Sequence, residues 1–185
     1  RERVTEVETT LAEGGNKAKT LNDELQIMKQ LAGLTEVVGP GIRLILNDSA
    51  KGPLTPRAFE ADKYIIHDVD LQQVVAELGA SGAEAVAVNG QRLVGRTAIR
   101  CVGPTVQVNG APIAPPFEVL AIGNPVTLVG GLNLPGGVLD GIRRYDPLMA
   151  QLEKKGKLIL PAFAGGTEFR YAKPADSPAA GKGNG

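Results

Sequence analysis

The amino-acid sequence predicts an α+β fold, a two-layer ferredoxin-like sandwich that follows an N-terminal coiled-coil helix. Three observations lead to this class. Apolar residues near the start recur at heptad spacing, two Asn-Gly pairs lie between alternating apolar segments, and helical patterns flank those segments. We therefore divide the chain into a coiled-coil or amphipathic helix at residues 1–33, an α+β globular domain at 34–173 and a disordered tail at 174–185.

The composition is that of an ordinary globular protein, and it argues against several function classes. The 185 residues carry 20 basic and 20 acidic side chains, so a formal net charge of zero provides no bulk attraction to nucleic acid. One His and one Cys are too few for the usual zinc sites or for a disulfide framework. We expect no cofactor and no nucleic-acid partner.

The predicted N-terminal helix has apolar residues at alternating steps of three and four, as heptad a and d positions require. These residues are Val4, Val7, Leu11, Ala18, Leu21, Leu25, Met28 and Ala32. Gly14-Gly15-Asn16 interrupts the pattern, so residues 17–31 should be the firmer helix. Two arrangements remain open, a coiled coil and a lone amphipathic helix packed on its own domain. Residues 1–30 contain no signal peptide or membrane span, so we expect any anchor to lie upstream.

The first part of the globular domain is predicted to be a strand, a loop and a helix. After the helix breaker Gly39-Pro40-Gly41, residues 42–48 are apolar and partly alternating, as in a half-buried strand. Residues 49–64 form a long loop, which is a candidate recognition element. Asp70 is the predicted N-cap of the next helix, with Gln73 in capping-box position. The apolar side of that helix consists of Leu71, Val74, Val75 and Leu78.

The middle third reads as an antiparallel meander. Asn89-Gly90 and Asn109-Gly110 are the strongest short hairpin signals, because both residue types tolerate the positive φ of a type I′ turn. A further strand is expected at residues 117–122.

The last third is predicted to contain two helices and two strands. Asn124 followed by Pro125 is typical of an N-cap and first helical position, so a short helix should run to about residue 132. A second helical stretch is expected at 138–155, interrupted by Pro147. The closing strands are expected at 157–163 and 167–171.

Several stretches together carry a resemblance to a known family. They read AGLTEVVGPG (32–41), DLQQVVAEL (70–78), GAEAVAVNGQR (82–92), TAIRCVGPT (97–105), VNG (108–110), APPF (114–117) and AIG (121–123). On these residues the chain resembles the bacterial family known as domain of unknown function 881, over most of residues 31–172.

The resemblance implies a place in the cell envelope. Members of that family typically look like an N-terminal membrane span, a coiled coil and this domain outside the cytoplasm, and some are labelled division initiation proteins because of where they are encoded. It therefore implies a single-pass cell-membrane protein with this domain extracytoplasmic. The implied partners are other envelope or division proteins and a second copy of the chain, held through the N-terminal helix. Contact with the membrane would be made only through an upstream span.

Three evenly spaced arginines are the main binding feature of the sequence. An unbroken strand through Arg92, Arg96 and Arg100 would place all three on one sheet face, where guanidinium groups hold phosphate or carboxylate. The alternatives are a solvated face, internal ion pairs, or a bulge at Gly95 that splits the row. The candidate ligand- or partner-binding residues are Asn89, Gln91, Arg92, Arg96 and Arg100.

Catalytic alternatives have less support. The acidic residues Asp48, Asp62, Asp68 and Asp70 invite a metal interpretation, but capping of helices and strand ends explains them more simply. Cys101 with His67 is the one Cys-His pair available, and Cys101 fits better as a small core residue. We therefore predict a non-enzymatic envelope interaction or scaffold domain, with catalytic, cofactor and metal residues all absent. The alternative is a binding module for an anionic envelope ligand that uses the arginine-lined strand.

Overall fold

The computed structural model describes residues 15–54 and 58–172. Its helices are α1 (Gly15–Leu31), α2 (Ala58–Ala61), α3 (Asp68–Ala80), α4 (Pro125–Leu132) and α5 (Val138–Tyr145). Its strands are β1 (Val37–Leu46), β2 (Ala85–Val88), β3 (Gln91–Arg92), β4 (Ile99–Val102), β5 (Thr105–Val108), β6 (Ala111–Ile113), β7 (Phe117–Ile122) and β8 (Ala150–Leu160). The α+β class is confirmed. The predictions for residues 1–14 and for the tail at 174–185 lie outside the described residues.

The strands form two antiparallel sheets. The larger has the order β3-β2-β7-β1-β8, and the smaller has the order β4-β5-β6. Helix α3 connects β1 to β2, whereas α4 and α5 connect β7 to β8. In the chain, the three strands of the small sheet lie between β3 and β7 of the larger sheet.

A single apolar cluster joins the larger sheet to the helices and to the small sheet. On β1 the side chains of Ile42, Leu44 and Leu46 are fully buried. They belong to the same cluster as apolar residues of the helices and of the small sheet: Leu71, Val74, Leu78, Leu128, Leu132, Leu139, Val106 and Val108. Each such side chain contributes about 1.5–3 kcal/mol by leaving water, so this cluster is the main source of stability.

The local turn predictions are confirmed. Asn89 and Asn109 have φ of 45° and 55°, and the glycine after each is also at positive φ, as a two-residue hairpin turn requires. Asn124 caps α4, because its Oδ1 accepts the N–H of Val126 at 2.9 Å. These features depend on two or three consecutive residues, which is why they could be predicted.

The start of β1 was predicted too late. The strand begins at Val37 and passes through Pro40, although a central strand normally excludes proline. The β1–β8 register shifts between Gly39 and Gly41, and this bulge spares Pro40 the hydrogen bond that it cannot donate. The Pro40 carbonyl instead accepts the N–H of Gly123 at 3.0 Å.

The start of α3 was also predicted wrongly. The N-cap is His67, and Asp70 is the third residue of the helix. The Oδ2 atom of Asp70 accepts the backbone N–H of His67 at 2.8 Å, which completes a capping box. The helix therefore begins at Asp68, because His67 is held in extended conformation.

The last third differs most from the prediction. Helix α5 ends at Tyr145, and Asp146 then accepts the Ser49 hydroxyl and the N–H of Leu148. Residues 150–155 are strand instead of helix, because β8 pairs with β1 along its length. Residues 167–171 form no strand. Long-range pairing, which the local pattern does not report, decides these segments.

Helix α1 confirms the predicted helix at 17–31. Among the described helices, none has the length and apolar composition that a membrane crossing requires.

Candidate binding surface at the base of the N-terminal helix

The predicted row of three arginines does not form. Strand β3 ends at Arg92, a turn follows, and β4 begins at Ile99 in the other sheet. The turn is closed by the N–H of Thr97 donating to the Val94 carbonyl and by the N–H of Val94 donating to the Thr97 hydroxyl, both at 2.9 Å. The unbroken strand was therefore wrong, because this turn redirects the chain from one sheet to the other.

Arg92 is a buried structural residue. It is 4% exposed, and its Nη1 donates to the carbonyl oxygens of Thr35 and Pro161 at 3.3 Å each. Its Nε is buried without a hydrogen-bond partner, and burial lowers the pKa of the guanidinium. Arg92 thus ties β3 to the segment after α1 and to the segment after β8.

The other predicted site residues are dispersed. The side chain of Asn89 accepts the N–H of Glu118 at 2.8 Å and donates to the Pro116 carbonyl at 3.3 Å, so it holds the β2–β3 turn against β7. Gln91 is half-buried opposite Val88. Arg100 is exposed on β4. A ligand site shared by all five residues is therefore not assembled.

The acidic and thiol candidates serve local structure. The Oδ1 of Asp48 accepts the N–H of Ile66 at 2.8 Å, and the Oδ2 of Asp68 accepts the N–H of Cys101 at 2.7 Å. Cys101 is exposed, so its predicted place in the core was wrong. The backbone hydrogen bond with Asp68 lowers the pKa of the Cys101 thiol. Burial and the side chain of Asp68 raise this pKa by more, so it lies above its ordinary value. Within the described ranges no group of three His, Cys, Asp or Glu residues could hold a metal ion.

A groove of about 550 Å³ lies between α3 and α5. Its polar wall includes Glu77, whose Oε1 accepts the N–H of Val138 at 2.8 Å at the start of α5. The second carboxylate oxygen, Oε2, is buried without a partner among the described residues. Glu77 therefore serves as a cap for α5, and its remaining oxygen is shielded from anything bound in the groove.

Helix α1 leaves apolar side chains in solvent. Leu21 is 45% exposed, Met28 is 64% exposed and Leu31 is 83% exposed. Leu21 and Met28 occupy heptad positions and are exposed, whereas Ala18 of the same series is buried and Leu25 is half-buried. The name "α1 seam" is used below for Leu21, Leu25 and Met28.

The base of α1 is fastened to the segment that follows β8. Gly33, in the turn directly after α1, has φ of 73°, and a Cβ at this position would lie 2.7 Å from Cγ1 of Val94. The Gly33 carbonyl accepts the N–H of Phe163 at 2.8 Å. Residues after Phe163 therefore pass close to the end of the helix.

Two adjoining cavities open at this base. The apolar slot, of about 270 Å³, is lined mainly by Ala32, Leu34, Val94, Phe163 and Phe169. The polar recess, of about 620 Å³, is lined by Arg96, Ala164, Gly165, Gly166, Thr167, Glu168 and Arg170. Arg96, Gly166 and Thr167 line both cavities, so the slot and the recess meet along these three residues.

Arg96 stands at the boundary between the two cavities. Its guanidinium carbon lies 4.9 Å from the ring centre of Phe169, and its Nη1 donates to the Glu168 carbonyl at 3.1 Å. Of the predicted residues, Arg96 lines this surface, whereas Arg170 and Thr167 were not anticipated. Their signal was a Gly-Gly-Thr sequence followed three residues later by Arg, which the incorrect strand prediction at 167–171 obscured.

Comparisons with known proteins agree with the resemblance seen in the sequence. A family model described as "Bacterial protein of unknown function (DUF881)" matches residues 24–173. The chain is 38% identical over 133 residues to the UPF0749 protein YlxW of Bacillus subtilis, with 72% of this chain and 56% of that protein covered. It is 28% identical over 154 residues to the UPF0749 protein Rv1825 of Mycobacterium tuberculosis, with 81% and 48% covered. The chain thus spans about half the length of these curated relatives.

A solved structure is also similar. It is described as the crystal structure of an uncharacterized conserved protein from Mycobacterium tuberculosis. It matches with a TM-score of 0.63 and 26% sequence identity, over 82% of this chain and 99% of that one. The family model matches far more than half of the sequence, and on that ground the chain belongs to the bacterial DUF881 family.

Proposed function

We propose that this domain is a non-enzymatic interaction module of the bacterial cell envelope that associates with a second copy of itself through α1. The supporting observation is the α1 seam, whose Leu21 and Met28 are exposed at heptad spacing. Burying one such side chain contributes about 1.5–3 kcal/mol, and a parallel second α1 offers a matching seam. Envelope or division proteins would be the further partners.

The same proposal includes the architecture of the domain. Taken without β3, the larger sheet has the order β8-β1-β7-β2, with α3 after β1 and α4–α5 after β7. This is the strand order of a βαββαβ ferredoxin-like sandwich, into which the small sheet is inserted before β7. That framework would leave α1 projecting as a spacer, because the helix precedes the first strand.

The location is proposed from the family resemblance. The protein would be held by a single membrane span upstream of α1, with this domain outside the cytoplasm. Protease treatment of intact spheroplasts carrying the full-length protein tests this placement. Degradation of the domain without lysis is expected, and protection until lysis would contradict it.

Sedimentation equilibrium of the chain tests self-association directly. Replacing Leu21 and Met28 together by Ser should weaken the dimer at least tenfold, because two seam contacts are removed. Ile27→Ser is the matched control, since Ile27 is 57% exposed on the same helix but lies outside the seam. A wild-type chain that stays monomeric at the highest attainable concentration, or equal weakening by the control, would overturn the proposal.

The alternative function was binding of an anionic ligand by three arginines on one strand. That strand is not formed, so the three arginines do not make a shared site. Arg96 alone of the three arginines is placed in a cavity described above. An anion site would therefore have to be built from different neighbours.

A further inference from the structure

The polar recess has the donors of an anion site. Two arginines line it from distant parts of the chain, Arg96 from the turn after β3 and Arg170 from the segment after β8. Between them, the backbone N–H groups of Gly165, Gly166 and Thr167 have no hydrogen-bond acceptor among the described residues. Successive free N–H groups in a loop and paired guanidinium groups are both suited to phosphate oxygens.

The charges of the recess are available to a ligand. Neither Arg96 nor Arg170 forms an ion pair with any residue in 15–54 or 58–172. Arg96 uses one N–H on the Glu168 carbonyl, which orients the guanidinium, and its other donors have no partner in the part of the chain that the structure describes. Glu168 also lines the recess and its negative charge opposes an anion, so the lining residues carry two positive charges against one negative.

The loop geometry keeps the recess open. A Cβ on Gly165 would lie 2.4 Å from the ring of Phe163, so the ring packs directly on this glycine. A Cβ on Gly166 would meet no atom within 4 Å, because Gly166 faces the open space shared by the two cavities. Side chains at both positions would fill or distort the site, which glycine avoids.

The apolar slot decides which kind of anion fits best. It is continuous with the recess through Arg96, Gly166 and Thr167, and its walls are formed by alanine, leucine, valine and phenylalanine side chains. A free phosphate ion would use the recess and leave the slot empty. An amphiphile would place its charged group against the arginines and its hydrocarbon against Phe163 and Leu34.

We propose that this surface binds a phosphate-headed lipid, with the phosphate in the polar recess and part of an acyl chain in the apolar slot. The ligand is held by charge-assisted hydrogen bonds from Arg96 and Arg170 and by the N–H groups of residues 165–167. This site does not depend on α1-mediated association, so either proposal can fail without the other.

Isothermal titration calorimetry of the whole chain tests the proposal. The probe is monomeric dihexanoyl phosphatidic acid, compared with dihexanoyl phosphatidylcholine and with inorganic phosphate. Phosphatidic acid should bind most tightly, since it alone combines the unshielded phosphate with an acyl chain. Equal or tighter binding of inorganic phosphate would contradict use of the slot. Tighter binding of a glutamate-rich peptide would contradict the lipid as the ligand.

Charge variants locate the site. Arg96→Gln and Arg170→Gln should each weaken phosphatidic acid binding about tenfold or more, and Glu168→Gln should tighten it. Arg100→Gln is the matched control, because it removes the same charge from an exposed arginine of β4 outside the recess. Equal weakening by the control would show nonspecific attraction, and no weakening by the two recess variants would overturn the site.

One variant separates the slot from the recess. Ala32 is exposed and lines the slot but not the recess, so Ala32→Phe should fill the slot and leave Arg170 and Gly165, which line only the recess, unobstructed. The lipid should then bind no better than inorganic phosphate, whose own affinity should be retained. Undiminished lipid binding by a folded Ala32→Phe protein would contradict the acyl-chain contact.

Discussion

The backbone N–H of Phe163 donates to the carbonyl oxygen of Gly33 at 2.8 Å, which joins the segment after β8 to the end of α1. Arg92 strengthens the same junction, because it donates to Thr35 and Pro161 from β3. Three segments that are distant in sequence therefore meet at the base of the helix. The direction of α1, and the shape of both cavities, depend on this junction.

Arg92→Ala should destabilise the fold by about 2–4 kcal/mol, because it removes two hydrogen bonds from a charged donor and leaves a cavity. Urea unfolding measures this change. Arg100→Ala, at an exposed position, should change the free energy of unfolding by less than about 0.5 kcal/mol. Similar values for the two variants would contradict a structural role for Arg92.

Asn89→Ala should cost about 1–3 kcal/mol of stability, since it removes the hydrogen bonds to Glu118 and Pro116 and places alanine at φ of 45°. Asn89→Gly should cost less, because glycine adopts positive φ without strain. Thermal unfolding gives both values. Loss of lipid binding by Asn89→Ala at unchanged stability would instead favour the ligand role predicted from the sequence.

Gly41→Ala should prevent folding or cost more than about 3 kcal/mol, because the new Cβ would lie 1.9 Å from the Ala121 carbonyl oxygen of the neighbouring strand β7. Gly156→Ala on β8 is the control, since its Cβ would meet no atom within 4 Å. Circular dichroism and urea unfolding compare the two. Native-like stability of Gly41→Ala would show that β1 and β7 are further apart than described.

Asp68→Asn should reduce stability at neutral pH. The pKa of Asp68 lies below its ordinary value of 3.8, chiefly because its carboxylate accepts the N–H of Cys101. Because the pKa of Asp68 is lower in the folded protein than in the unfolded protein, the ionised carboxylate stabilises the fold. This stability is fully present at a pH above the unfolded-state pKa, and it is lost as the pH falls through the folded-state pKa. The difference between wild type and variant should therefore shrink below pH 3.8.

Urea unfolding across that pH range measures the Asp68 effect. Asp23→Asn, at an exposed position of α1, is the control and should change the free energy of unfolding little. A deficit for Asp68→Asn that persists unchanged into acid would mean that the charge of the carboxylate is not what stabilises the contact.

The predictions made from the sequence are correct where a structural feature depends on neighbouring residues, and they fail where contacts between distant residues decide the structure. The two Asn-Gly turns and the Asn124 cap need only adjacent residues, so their chemistry was readable in the chain. The helix at 150–155 and the strand at 167–171 were predicted from equally local patterns, but pairing with β1 overrode the first, and the second remained irregular beside the end of α1.

The candidate site shows the same division. The sequence by itself determined the α+β class, the α1 helix, the hairpins and the family, because these depend on residue spacing and local backbone preference. Only the tertiary structure decided that Arg92 is buried, that Arg100 lies apart, and that Arg96 and Arg170 line one recess with the loop at 164–167. The physical reason is that one tight turn at residues 94–97 sends the chain between two sheets, so even spacing along the sequence no longer means a shared face.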